Sequence, residues 1–212
     1  MSDRQTHARN GRQAYHHGDL RESLLDAAMA EVELNGPEGV SLSALAKGLG
    51  VSQAAPYRHF ADRDDLLTAV AARGFDSFSA TLLKTMAIPS ARSPIGRFAH
   101  AYLQHGVERI GLYRLMYGSR LVDKSKVGSP LQVSAERGFL GLLDILGSAE
   151  ALPEREFIAL KLWVALHGVV MLVDQGFLPL KVRRVRAEEL VDDIVGETEL
   201  AIARQRASAT TA

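Results

Sequence analysis

At 212 residues, 47% of them hydrophobic, the chain holds enough apolar material for one large or two small packed domains. It contains no cysteine, which excludes disulfides, cysteine-ligated zinc and thiol chemistry; nothing argues for an oxidising compartment, and the cytoplasm is the expected location. The formal net charge is zero, which excludes an overall basic character, so any anionic partner must be met by a local face.

Residues 1–17 are polar, lack the apolar core of a signal peptide, and read as a flexible basic arm carrying Arg4, Arg9, Arg12, His16 and His17. Asp19 and Glu22 have capping-box spacing, and Leu20, Leu24, Ala28 and Val32 recur every four residues until Gly36-Pro37 stops the helix. Ser41 caps a second helix with Leu42, Leu45, Ala46 and Leu49 on one face, ended by Gly50 in a left-handed conformation. Ser52 is placed to cap a third, from about Gln53 to Phe60. Within it Pro56 removes one N–H bond to the Ser52 carbonyl, which should stiffen or slightly kink the helix start without excluding it. Asp62 then caps a long helix through Leu66, Leu67, Val70, Phe75 and Phe78 towards Met86, with Asp64 and Asp65 suited to its N-terminal dipole.

Periodicity lapses over the Pro/Ser-rich stretch 88–94, which reads as a domain boundary. A helix from Ile95 follows, then a short aromatic piece from Leu112 to Tyr117, and a polar connection from Gly118 to Pro130. Leu131 to Leu146 resumes helical spacing. The segment Glu154 to Gln175 is apolar nearly all round and reads as a buried helix, slightly short for a membrane span and carrying Lys161. A last helix, Ala187 to about Arg206, puts Leu190, Val191, Ile194, Val195, Ala201 and Ile202 on one stripe. No strand pattern or repeat appears, and the fold class is all-α.

The stretch Gly50-Val51-Ser52, followed by Tyr57-Arg58-His59-Phe60, Arg63 and Leu66-Leu67, resembles the DNA-binding domain of TetR-family transcriptional regulators, with Pro56 where that family usually has leucine. Trp163, His167 and Gly168 resemble the Trp-His-Gly motif that names one C-terminal subgroup of the family. The resemblance implies a helix-turn-helix DNA-binding domain of three helices over residues 18–80, with the helix-turn-helix itself at 41–60. It also implies a C-terminal helical domain over residues 90–206 that senses a small molecule and forms a homodimer through its last two long helices. By position, Tyr57, His59 and Arg63 match phosphate contacts, and Ser52, Gln53, Ala54 and Ala55 match residues that approach bases. Ser41 and Ser43 match positions that reach the backbone or a base edge, Ser43 standing where many relatives carry arginine. Arg58 could contact DNA or point to solvent. Gln53 can pair bidentately with adenine, or be a solvated first-turn residue.

Residues 1–80 carry eight basic against eleven acidic side chains, so few phosphate contacts per subunit and a strong dependence on dimerisation are expected. Two such subunits should read a near-palindrome with half-sites about 10 base pairs apart. In the second domain Tyr102, His105, Tyr113, Met116, Tyr117, Phe139, Trp163, His167 and Met171 could line an effector pocket, or be an ordinary aromatic core. Repression is favoured over activation, since a compact dimer on a promoter blocks polymerase without a dedicated contact surface. The alternatives are an interaction module that kept the helix-turn-helix without DNA binding, prompted by the acidic count and Ser43, and a small helical enzyme. No nucleophile elbow, Walker loop or dinucleotide fingerprint is present, and His100 and His105 are five apart, off a shared metal-binding face. No metal, cofactor or membrane partner is expected.

Overall fold

The computed structural model describes residues 17–148, 152, 154–177 and 185–210, and all regular structure among them is helical. Helix α1 (His17–Asn35) packs Leu20, Leu24, Leu25, Ala28 and Val32 inward and stops where Gly36 turns to a φ of 76°. It begins before Asp19, so that residue lies inside the first turn rather than capping it, and Glu22 ion-pairs with Arg73 instead of reaching back to the backbone. The arm at Arg4, Arg9, Arg12 and His16 lies outside the described residues.

Helix α2 (Leu42–Gly48) starts at Ser41, whose hydroxyl bonds the Ser43 hydroxyl at 3.0 Å and caps no backbone N–H. At its other end Gly50, with φ 69°, bonds back to the Lys47 carbonyl while Val51 bonds that of Ala46, the paired arrangement a left-handed glycine makes possible. Helix α3 (Arg63–Met86) starts as expected: the Asp62 carboxylate accepts from the Asp65 N–H at 2.8 Å, and Asp65 in return accepts from the Ala61 N–H at 2.9 Å.

Beyond the bend, α4 (Pro94–Glu108) is capped by Ser93, and α5 (Ile110–Gly118) follows almost directly. The stretch read as a polar connection contains a short helix, α6 (Leu121–Lys124), before α7 (Pro130–Leu146). Helices α8 (Arg155–Asp174) and α9 (Ala187–Thr210) close the bundle. One continuous apolar core runs from Leu20 to Ile202, without a break at the 88–94 bend. Its tightest seam lies between α1 and α5: a Cβ on Gly111 would sit 2.5 Å from the Val32 carbonyl oxygen and 2.8 Å from the Glu33 Cα.

The expectation of a buried α8 holds on one face only. Leu162, Leu166, Val169 and Val170 are in the core, whereas Phe157, Leu160, Val164 and Leu172 are 59%, 44%, 62% and 41% exposed. A helix apolar all round has no sided pattern to tell one face from the other.

Candidate nucleic-acid interface and effector site

The segment from Ser52 to Phe60 is not the continuous helix expected from Gln53. Pro56 has no N–H to give, so the Ser52 carbonyl accepts from Ala55 instead, at 3.0 Å, and the chain tightens into three-residue turns. Only Pro56–Arg58 is helical, of the 3-10 type, and its cap position falls on Ala55 rather than Ser52. Buried Pro56 and Phe60 pin this turn to the core, with the Arg21 guanidinium 5.3 Å from the centre of the Phe60 ring. Ser43, Ser52, Gln53, Ala54, Tyr57 and Arg58 stand exposed, and Ser41, Ala55 and His59 are half-buried beside them. Tyr57 is 56% exposed, too much for a core role.

Arg63 has been drawn elsewhere. Its Nε donates to the Val40 carbonyl at 3.0 Å and its Nη2 to that of Pro37, so the side chain ties α3 to the turn between α1 and α2. Of its guanidinium nitrogens only Nη1, 3.7 Å from Asp64, has no hydrogen bond among the described residues.

In the other half, α4, α5 and α8 bring four of the nine aromatic-site candidates into one hydrogen-bonded chain. Trp163 Nε1 donates to the Tyr102 hydroxyl at 3.0 Å, Tyr102 and Tyr113 hydroxyls lie 2.9 Å apart, and the Tyr113 hydroxyl lies 2.7 Å from His167 Nδ1. An indole nitrogen can only donate, so the Tyr102 hydroxyl accepts from Trp163, while each hydroxyl beyond it can donate or accept. Burial pushes the His167 pKa below the ordinary value, which favours the neutral imidazole. Burial likewise pushes the Tyr102, Tyr113 and Tyr117 hydroxyls far up.

Tyr117 and Phe139 complete this cluster, Tyr117 with its ring centre 4.6 Å from that of Tyr113 and Phe139 5.7 Å from Trp163. The remaining three candidates diverge. Met116 packs beneath Gly74 at the crossing of α3 and α5, Met171 sits at the edge of the core, and His105 turns its ring against Phe78 and faces a separate cleft. Phe75, Phe78 and Phe98, which the sequence reading left among scaffold residues, belong to the cluster; Phe78 lies 4.9 Å from Tyr102. Their spacing on α3 and α4 showed only that they face inward. The space the cluster encloses is about 10 Å³, room for one water, so its side chains fill the site rather than line an open pocket.

Two family patterns match the chain, "Bacterial regulatory proteins, tetR family" over residues 24–70 and "Tetracyclin repressor-like, C-terminal domain" over residues 95–196, together covering well over half of it. A helix-turn-helix-type transcriptional regulator of Mycobacterium tuberculosis is 28% identical over 160 residues, which is 74% of this chain and 72% of that protein. A protein of unknown function from Rhodococcus sp. RHA1 shares the fold with a TM-score of 0.75 and 29% identity, over 89% of this chain and 98% of that one. The TetR family transcriptional regulator PfmR from Thermus thermophilus superposes with a TM-score of 0.56 at 19% identity, over 85% of this chain and 97% of its own. An exposed turn braced behind a short helix, an aromatic helical domain after it, and both family patterns in register with these halves lead to one conclusion: the chain belongs to the tetR family of bacterial transcriptional regulators.

Proposed function

We propose that the protein is a cytoplasmic homodimeric repressor, held on a near-palindromic operator by the Ser52–His59 turn and released when a small apolar molecule enters the aromatic cluster. Regulators of this family bind operator DNA, act as dimers and respond to small-molecule effectors. The observation that carries the reading is the exposure of Gln53, Tyr57 and Arg58 on a turn whose Pro56 and Phe60 are buried, so that polar side chains are presented from a rigid support. Ser43, Ser52, Ala54 and Ala55 complete the face that approaches bases, and His59 reaches the phosphates with Tyr57. Arg63 positions this face more than it touches DNA. Residues 18–80 form the operator-binding unit, and residues 90–206 the sensing and dimerising one.

The dimer forms through α8 and α9. The exposed apolar side chains of α8 fall on one side of the helix, flanked by Lys161 over the Phe157 ring, and a second copy would cover them. By length and composition α8 could also cross a membrane, with 33% of its apolar window buried. Its other face is committed to the core against α4, α7 and α9, which supports pairing with a copy rather than with lipid. The effector is neutral, because the cluster offers hydroxyls and one indole N–H but no charged group to offset an ion.

The test is selection of bound sequences from a random DNA pool, repeated for Tyr57→Ala and Gln53→Ala at two salt concentrations. One enriched palindrome, lost with Tyr57→Ala and relaxed at one position with Gln53→Ala, is the expected result. No enrichment at low salt by protein shown to carry no bound small molecule would refute operator binding.

A further inference from the structure

A cleft of about 320 Å³ opens between the C-terminal half of α3, the 88–92 bend and α4, on the far side of Phe78 and His105 from the aromatic cluster. Its chemistry differs from that of the cluster. Arg92, Arg97, His100 and His105 line it, against one acid on its wall, Glu108, which is already bonded to Gln104 at 2.8 Å. The neighbouring acid, Asp192 of α9, is held by His100 at 2.6 Å.

Arg97 is the centre of this arrangement. Its Nη1 donates to the Met86 and Ile88 carbonyls, at 3.0 and 2.9 Å, which fixes the guanidinium where α3 ends. The opposite edge, Nε and Nη2, has no acceptor among the described residues, and Nε is buried. Three other inter-helix arginines have a carboxylate, Arg73 with Glu22 and Asp26, Arg109 with Glu33 and Arg114 with Asp174, whereas Arg63 and Arg155, like Arg97, bond backbone carbonyls. Neither Arg97 nor Arg92 forms an ion pair among the described residues. Nη2, unlike the buried Nε, is open at the cleft and can give a charge-assisted hydrogen bond to an oxyanion. Ile88, Pro89 and Ala101 supply an apolar wall beside it.

We propose that this cleft is a second small-molecule site, specific for an organic anion whose carboxylate or phosphate sits on the free Nη2 of Arg97 with Arg92 at the rim, and whose apolar part lies on Ile88 and Ala101. The site is independent of whether the protein binds DNA and of what enters the aromatic cluster.

The experiment is calorimetric titration of the full-length protein with benzoate, phenyl phosphate and, as the uncharged counterpart, benzamide. Saturable binding of benzoate or phenyl phosphate, with benzamide silent, is expected, and the tighter of the two identifies the oxyanion. Arg97→Lys keeps a donor for the Met86 carbonyl but loses the open Nη2, and should weaken binding by about tenfold or more. Arg92→Gln changes an exposed side chain that cannot upset the fold, and should weaken it by a smaller factor; it carries the test alone if Arg97→Lys proves unstable. No saturation by either anion in the millimolar range, or affinity unchanged in the Arg92→Gln protein and in a folded Arg97→Lys protein, would overturn the assignment.

Discussion

The polar chain from Trp163 to His167 makes a demand that a single atom can test. In Tyr113→Phe the ring stays and the hydroxyl goes. Tyr102, 1% exposed, then loses one of its hydrogen-bond partners, and half-buried His167 loses the partner of its Nδ1. Each hydrogen bond lost costs about 0.5–1.5 kcal/mol, so the two together should cost about 1–3 kcal/mol. Urea unfolding at fixed protein concentration reads it, since a dimer's stability moves with concentration. A second readout separates bonding from packing. Removing the partner of Nδ1 should move the His167 titration, seen in the proton resonance of the ring. Stability within about 0.5 kcal/mol of the wild type, together with an unmoved His167 titration, would show that these groups are packed but not bonded as a unit.

Gly111→Ala gains about 1 kcal/mol of helix propensity but drives its methyl into the Val32 and Glu33 backbone, which cannot rotate away; a net loss of about 1–3 kcal/mol in thermal unfolding is expected. Val164→Asp, at a side chain 62% exposed in one protomer, should leave the protomer folded yet shift sedimentation to the monomer and weaken operator binding by more than about tenfold. His105 and His167 both have pKa values pushed below 6.5, chiefly by burial, with Arg109 adding to the effect at His105. The unfolded chain therefore takes up protons first as pH falls: this contribution is complete above about 6.5 and is lost as pH drops towards the depressed values, a slope that His167→Gln should reduce in denaturation curves at stepped pH.

Where one residue decides a backbone event, the sequence was sufficient. Gly36, Gly50 and Asp62 each act within one turn, and the helices they end or start lie where their spacing put them. Pro56 was read correctly for the bond it removes, but the consequence was underrated. A helix of eight residues has so few bonds that losing the Pro56 N–H lets the Ser52 carbonyl take the nearer Ala55 N–H, and the start of the segment tightens. The aromatic cluster was half legible for a different reason. Spacing along one helix says which side chains face inward, yet Tyr102, Tyr113 and His167 meet across three helices, and Met116 and His105, equally inward by pattern, meet other neighbours. Arg63 shows the limit of transferring a role by position: its charge suits phosphate, but carbonyls of the Pro37–Val40 turn lie closer.

On the function proposed above, these contacts bear on how occupancy of the cluster could reach the Ser52–His59 turn. Helix α3 begins shortly after Phe60 and, through Arg63, carries the Pro37–Val40 turn with it, so its first turn and the reading face move together. Its tightest crossing is at Gly74, where a Cβ would meet Met116 and Leu112 of α5 at about 3 Å, and α5 is itself seated on α1 at Gly111. Four residues further on, Phe78 enters the cluster. At 1.5 Å per residue, Phe78 lies about 6 Å beyond the crossing and Asp62 about 18 Å before it. A rigid α3 pivoting at Gly74 would thus magnify a displacement of Phe78 roughly threefold at its N-terminus, so about 1 Å at the cluster becomes about 3 Å at the reading turn. That is comparable to a hydrogen-bond length, enough to take Gln53 and Tyr57 out of register with an operator held by the other protomer. A cluster packed down to about 10 Å³ suits such a lever, because no effector can enter without moving a ring, and Phe78 is the ring that belongs to α3 and touches both Tyr102 and Tyr113.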